Sequence, residues 1–343
     1  MKAVGFKRAL PVDDVESLID FEAPKPEPGP RDLLVAVQAV SVNPVDTKVR
    51  GGRHQGTAAS APTETPRILG WDAAGAVAGV GARVTGFGVG DEVFYAGALE
   101  RPGANAEFHA VDFALVGRKP RTIDFAQAAA LPLTSITAWE LLFDRLAVPQ
   151  GGGEGSAILV TGAAGGVGSI LVQLARRLTK LRVIATASRP DTVAWCLERG
   201  AHHVIDHTKP LPEQLDAIGG ASPIRYVASL TATARNFLQL VDVLAPQGKI
   251  AVIDDPATLD VVPLKRKSAS LHWEFMFARS MWQTDDSGEQ GRLLSRIAEL
   301  VDDGVLRSTV TRTLSPINAA NLRAAHRIAE SGKAIGKTTL VGF

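Results

Sequence analysis

The sequence predicts an α/β protein, with a doubly wound parallel sheet in its middle section and a β-rich unit before it. Three observations lead there. From Ser156 onward, short apolar runs alternate with amphipathic stretches (AILVT, VGSILVQLARRL, RVIATA, DTVAWCLERG, HVI, RYVASL, ARNFLQLVDVL, KIAVI), which is the pattern of parallel strands joined by crossover helices. A glycine cluster sits where the first of those strands meets the first helix. Before about residue 124 the apolar runs are short and broken by turn residues, as in KAVGF, LLVAVQAVSV, DEVFY and AEFHAV, the mark of irregular β structure.

Taken in order, residues 1–123 form the β-rich unit. Pro24, Pro26, Pro28, Gly29 and Pro30 make a stiff connector within it, and residues 51–66 have the Gly, Ala, Ser, Thr and Pro content of a loop. Residues 124–270 form the doubly wound unit, introduced by helical spacing from Thr134 to Leu146. In 271–343 a helix across Gly291–Asp303 puts Leu293, Leu294, Ile297, Leu300 and Val301 on one face, a second helix follows Pro316, and KTTLVGF closes the chain as a strand. With no long linker ahead of it, this tail is expected to return to the first unit.

Composition excludes several function classes. The 37 Lys and Arg balance 36 Asp and Glu for a net charge of +1, so no global field draws the protein to nucleic acid or an anionic membrane. Lys265-Arg266-Lys267 is a single short basic run, the size of a solvated turn. Cys196 stands alone, which rules out an internal disulfide framework and any zinc site built on two thiolates and fits the cytoplasm. The uncharged run from Ser156 to Ala175 has the length of a membrane span, but its four glycines with Thr161, Ser169 and Gln173 read as strand, turn and helix. The charges of the N-terminal stretch precede any apolar segment long enough for a signal peptide. The expected partner is a small molecule.

The glycine cluster carries the functional prediction. Gly162, Gly165, Gly166 and Gly168, with Val167 among them, lie between strand and helix. There, small residues let the backbone turn and approach a pyrophosphate, while the helix start offers free N–H groups. The spacing is not G-x-G-x-x-G, so the strand-to-helix context is what makes the cluster informative. About twenty residues on, where an acidic side chain would accept a ribose 2′-OH, the chain reads Ser188-Arg189. A hydroxyl and a guanidinium suit a 2′-phosphate, which favours NADPH over NADH; Asp191 nearby keeps open a solvated arginine.

Taken together, SVNPVDTKVRGG, ILGWDAAGAV, the AAGGVG turn, RGAHHVIDH and GKAIGKTTLV resemble the medium-chain dehydrogenase/reductase superfamily over essentially the whole chain. Within it the chain resembles the quinone oxidoreductase branch and the proteins labelled zinc-type alcohol dehydrogenase-like, of which HWEFMFARSMWQTDD is typical. The resemblance implies a GroES-like catalytic domain built from both chain ends, a Rossmann domain between, an active site in the cleft, and a homodimer. Zinc-dependent relatives supply a cysteine where this chain has Asn43 and a His-Glu pair where it has Trp71-Asp72, and His54, His109, His202, His203, His207, His272 and His326 show no compensating spacing. No metal is expected.

The resemblance further implies that Asn43 lies beside the nicotinamide ribose, that Thr134 and Thr137 contact the nicotinamide end, and that His207 stands where quinone reductases place a tyrosine near the adenosine ribose. Phe275, Met276 and Phe277 are expected to line the cleft, Phe275 and Phe277 as cofactor contacts. Leu230 and Lys337 complete the expected cofactor set. Each has a plainer alternative: Asn43 before Pro44 caps a turn, a threonine at a helix start bonds its own backbone, His207 is a surface histidine, and aromatic clusters pack cores. Quinone reductases commonly carry a tyrosine after the Arg-x-Gly stretch. Here the loop has no aromatic residue, and His54 is the titratable ring expected to serve substrate or proton transfer.

Without a metal to polarise a simple ketone, the expected chemistry is NADPH-dependent hydride transfer to a quinone or other conjugated carbonyl, whose product anion is delocalised, with Asn43 and bound water as donors. The alternatives are an enoyl or enone reductase with a dedicated metabolite substrate, or a non-catalytic NADPH-binding regulatory protein.

Overall fold

The computed structural model describes residues 1–53, 63–219 and 222–343. The chain forms two compact units, one of Met1–Ile136 with Phe277–Phe343, the other of Thr137–Met276. Among the described residues no helix is long and apolar enough to cross a membrane.

The N-terminal part of the first unit contains β1 (Lys2–Phe6), β2 (Ile19–Glu22), β3 (Asp32–Ser41), α1 (Pro44–Arg50), β4 (Arg67–Ile68), β5 (Ala73–Val80), β6 (Glu92–Tyr95), β7 (Phe108–Asp112), β8 (Val116–Arg118), α2 (Phe125–Ala129) and α3 (Pro132–Trp139). β3 is the centre of this unit. It pairs with β5 along one edge and with β7 along part of the other, so its run DLLVAVQAVS is apolar on both faces and buried along nearly all its length. Pro44, with its fixed φ, starts α1 directly after β3.

The second unit contains β9 (Ala157–Val160), α4 (Gly166–Leu178), β10 (Arg182–Thr186), α5 (Pro190–Arg199), β11 (His203–Ile205), α6 (Leu211–Ala217), β12 (Ile224–Ser229), α7 (Thr233–Val243), β13 (Leu244–Val252) and β14 (Ser270–Trp273). Its six strands are parallel in the order β11-β10-β9-β12-β13-β14. The core beneath it includes Leu159, Ile184, Val227, Phe237, Leu240 and Ile250. The chain runs outward from β9 in one direction through β10 and β11, then crosses back to β12. The switch point of the sheet therefore lies at the carboxyl ends of β9 and β12, where open α/β sheets bind ligands.

The chain then re-enters the first unit with α8 (Ala278–Met281), α9 (Glu289–Asp302), β15 (Val310–Leu314), α10 (Ala319–Glu330) and β16 (Lys337–Val341). β16 pairs antiparallel with β3 at Thr339–Ser41 and Leu340–Val40, and β15 extends the sheet. α9 buries Leu293, Leu294, Ile297, Leu300 and Val301. It lies so close to the chain around β8 that a Cβ at Gly291 would stand 2.6 Å from the Ala114 carbonyl oxygen, so only glycine fits there. On α10, the buried Arg50 guanidinium meets Glu330 at 2.6 Å and His326 Nδ1 at 3.2 Å, tying α10 to α1.

The division between units differs from the expected 124–270 segment, most at its start. Residues 124–136 belong to the first unit because α2 packs on β3 and β5 and the Leu133 N–H is held by Asp72 at 2.8 Å. α3 thus straddles the division.

Candidate active site

In the second unit the site begins at the end of β9, whose four residues are all buried. Thr161 continues the strand with its N–H on Ala228 O, and its hydroxyl accepts the Leu230 N–H at 3.0 Å. This joins the ends of β9 and β12 at the switch point. Gly162 then takes φ +62°, a left-handed conformation that ordinary residues avoid, and the Gly165 N–H closes a turn onto Gly162 O. A Cβ at Gly168 would lie 2.5 Å from Ala163 Cα and 2.6 Å from two backbone oxygens, so the first turn of α4 is pressed against the loop. No side chain caps α4, and its first turn carries no acidic residue. Its leading N–H groups and partial positive charge are available to an anion, as a dinucleotide pyrophosphate requires.

Ser188 and Arg189 follow β10. The Arg189 N–H is accepted by Thr192 Oγ1 at 3.2 Å, which starts α5, and its guanidinium Nε lies 3.3 Å from Asp191 Oδ1. Both side chains of that pair are partly exposed, so the contact is a weak surface ion pair. His207 is exposed beyond β11, beside Asp206, which accepts both the N–H and the hydroxyl of Thr208. Thr137 is buried. Phe275 is 40% exposed and Met276 buried. Asp254, after β13, receives the N–H and hydroxyl of Thr233, whose Oγ1 lies 2.7 Å from Ser229 Oγ. This polar knot at the carboxyl ends of β12 and β13 had no sequence signal, since its members lie in three segments.

The first unit holds a buried charge network around Asn43. The Asn43 N–H donates to Asp46 Oδ2 at 2.7 Å, its Nδ2 donates to Asp72 Oδ2 at 2.8 Å and to Trp71 O at 3.3 Å, and its Oδ1 accepts Lys337 Nζ at 2.5 Å. Lys337 Nζ also donates to Val42 O at 2.8 Å and lies 3.1 Å from Asp72 Oδ2. Asp72 Oδ1 accepts the Leu133 N–H. Asn43, Asp46, Asp72 and Lys337 are all buried. Burial pushes the Asp46 carboxyl up to about 7, against the pull of the Asn43 N–H and the Lys337 ammonium. Burial also raises Asp72, opposed chiefly by Lys337.

Thr134 lies one residue beyond Leu133, and its hydroxyl donates to the residues just ahead of α3, Ala130 O and Leu131 O, at 3.2 and 3.1 Å. Phe277 packs edge-on to Trp71 with ring centroids 6.4 Å apart, and Trp71 Nε1 donates to Ala98 O. The structure therefore brings Asn43 and Lys337 together and adds Asp46 and Asp72 to them. Asp46 stands at the third helical position after Asn43, a spacing readable as a capping pair, whereas Asp72 is found only through the fold. His54 lies outside the described residues. His109 and His326 are buried and held neutral, pushed by desolvation to about 4 and about 3. Among the described residues no group of three or more His, Cys, Asp or Glu side chains is placed to hold a metal.

Two family profiles match the chain: the alcohol dehydrogenase GroES-like domain over residues 29–119 and the zinc-binding dehydrogenase over 166–287. A zinc-type alcohol dehydrogenase-like protein of Staphylococcus epidermidis is 37% identical over 99% of both chains. The chain belongs to the medium-chain dehydrogenase/reductase superfamily. Its β-rich unit is the GroES-like domain and its parallel-sheet unit the Rossmann domain of these oxidoreductases. A Rhizobium etli protein assigned provisionally as a zinc-dependent alcohol dehydrogenase matches at 54% identity and TM-score 0.94, covering 100% of this chain and 98% of its own. Escherichia coli quinone oxidoreductase, solved with NADPH, matches at 25% identity and TM-score 0.82 over 99% of this chain and 100% of its own. Superfamily membership and the α4 turn together support a nicotinamide cofactor.

Proposed function

We propose that the protein is an NADPH-dependent, zinc-independent oxidoreductase that reduces a quinone or another conjugated carbonyl compound. The observation that carries this reading is the Lys337 ammonium, held by Asn43 Oδ1, Val42 O and Asp72. The second matching profile is named for zinc, but the residues here do not fit that ion. The Asn43 oxygen and the Asp72 carboxylate, the groups best able to act as oxygen ligands, are already committed to a cation that belongs to the chain. A zinc ion would have to displace it and bind an amide and carboxylates, a set poor in the thiolate and imidazole donors that zinc favours.

The cofactor, when bound, supplies hydride; the remaining work falls to the chain. The Gly162–Gly168 turn and the start of α4 hold the pyrophosphate, and Ser188 and Arg189 supply a hydroxyl and a fork of donors for a 2′-phosphate, which supports NADPH over NADH. The Asn43 amide has one hydrogen on Asp72 and a longer contact to Trp71 O, so the second hydrogen is the more weakly held and the one a substrate oxygen would share. One neutral donor offers little to a localised alkoxide and enough to a delocalised enolate or phenolate. That difference supports conjugated acceptors over simple ketones. The reading includes a homodimer in the cytoplasm, which sedimentation and fractionation test.

The experiment is turnover followed at 340 nm with NADPH and NADH separately, against quinones, enones and simple ketones. Faster NADPH consumption with the conjugated acceptors is expected. Reduction of simple ketones only after zinc is added would overturn the reading, and tight NADPH binding with no turnover would favour the regulatory alternative.

A further inference from the structure

Within the second unit, the chain between β12 and α7 is held in a shape it would not take unaided. The residue before α7 is Ala232, whose side chain caps nothing and whose φ of +53° is a left-handed conformation that a residue with a Cβ rarely adopts. The acceptor for the helix start comes from another strand. Asp254, two residues beyond β13, receives the Thr233 N–H on Oδ2 at 2.9 Å and the Thr233 hydroxyl on Oδ1. That hydroxyl proton is thereby committed, so in the 2.7 Å contact between Ser229 Oγ and Thr233 Oγ1 the donor is Ser229. Ser229 and Thr233 are both fully buried. At the other end of the segment the Leu230 N–H is held by Thr161 Oγ1 at 3.0 Å. Residues 230–232 are thus pinned on both sides, and their middle is laid on the glycine turn: a Cβ at Gly162 would stand 2.8 Å from Thr231 Cγ2. Leu230 is half-buried, and Thr231 and Ala232 are exposed, so the segment forms an open face at the switch point and not part of the core.

We propose that Asp254 is a positioning residue of the cofactor cleft: through the N–H and hydroxyl of Thr233 it holds Leu230, Thr231 and Ala232 as the wall that receives the nicotinamide half of NADPH. The inference rests on the proposed function and deepens it. A dinucleotide lies across the crevice where the strand order reverses, and β10 and β12 flank β9 on opposite sides. With the 2′-phosphate at Ser188 and Arg189 after β10 and the pyrophosphate at the start of α4, the nicotinamide half has to pass to the β12 side, where residues 230–232 border the Gly162 turn. Asp254 acts through Thr233 and not on the reacting atoms. A segment with a left-handed alanine, once freed from its anchor, samples other conformations, and binding then has to re-order it.

The test compares Asp254→Ala, Thr233→Val and Thr233→Ser in the full chain, by titration calorimetry with NADPH and with adenosine 2′,5′-bisphosphate, which carries only the Arg189 end of the cofactor. Urea midpoints follow folding. D254A, which removes both acceptors, is expected to weaken NADPH by about tenfold or more, and T233V, which removes the hydroxyl and keeps the N–H, by a smaller factor. The bisphosphate is expected to bind every variant to within about twofold of the wild type, since its contacts lie on the β10 side. T233S, which restores the hydroxyl that T233V lacks, is expected to regain affinity for NADPH. Should D254A fail to fold, T233V and T233S decide alone. The inference is overturned if D254A and T233V bind NADPH as the wild type does, if they lose NADPH and the bisphosphate by the same factor, or if T233S stays as weak as T233V. A wild type that binds neither ligand defeats the proposed function and this inference together; a wild type that binds both, with variants that fail in these ways, defeats only the inference.

Discussion

Replacing Lys337 with methionine, Asp72 with asparagine, and then both, measures the charge network directly. The two side chains are 4% and 0% exposed and their charges lie 3.1 Å apart, a separation worth about 5 kcal/mol of attraction at an effective dielectric near 20. Little of that is net gain, because both groups were desolvated to form the pair. Removing one partner, however, leaves a buried charge uncompensated, at a cost of roughly 3–5 kcal/mol. K337M also strips a donor from Val42 O and Asn43 Oδ1, and D72N puts an amide N–H where one carboxylate oxygen had accepted. Each single variant should lose roughly 3–5 kcal/mol, and the double variant, neutral at both positions, should recover about 2 kcal/mol or more of the summed loss. Urea unfolding followed by tryptophan fluorescence is the assay, since Trp71, next to Asp72, is buried and reports opening of this region. Losses that add to within about 0.5 kcal/mol would show that the two groups do not act as a pair and would refute the reasoning.

Three further predictions follow from single positions. Arg189→Ala should weaken NADPH by about 1–3 kcal/mol, or roughly 5- to 150-fold, and leave NADH almost unchanged, as titration calorimetry checks; an unchanged NADPH to NADH ratio removes Arg189 from the 2′-phosphate. Gly168→Ala, whose Cβ would meet loop backbone at 2.5–2.6 Å, should cost about 1–3 kcal/mol of stability and most of the cofactor affinity, and a variant that binds normally would show that the turn has room to relax. Asp46 reads about 7 folded against about 3.9 unfolded, so the folded state holds the extra proton. Its contribution is complete below about pH 4 and is lost as pH rises through about 7, by up to about 4 kcal/mol. Asp46→Asn should therefore gain on the wild type between pH 5 and pH 8 in urea midpoints, and a constant difference would contradict the burial argument.

The local features of this fold were legible in the sequence, and the long-range ones were not. The strand expected at AILVT is β9 over Ala157–Val160, and the helix expected over Gly291–Asp303 is α9 over Glu289–Asp302, because apolar periodicity and glycine placement act over a few residues. The helical spacing from Thr134 to Leu146 hid the change to π geometry at Glu140, since a widened turn leaves the same residues apolar. Asp72 and Lys337 are far apart in sequence and meet because β16 pairs with β3 just before Val42, a register that no local pattern encodes. The doubly wound unit begins later than composition suggested because α2 packs on β3 and β5 of the first unit.

On the proposed reading, an ammonium of the chain, and no metal, completes the buried network of the site. This claim is tested most directly by measuring zinc content and NADPH-dependent quinone reduction on the same chelator-treated sample. Substoichiometric zinc with undiminished turnover is the predicted result. Turnover that disappears with the metal and returns in proportion to added zinc would contradict the account.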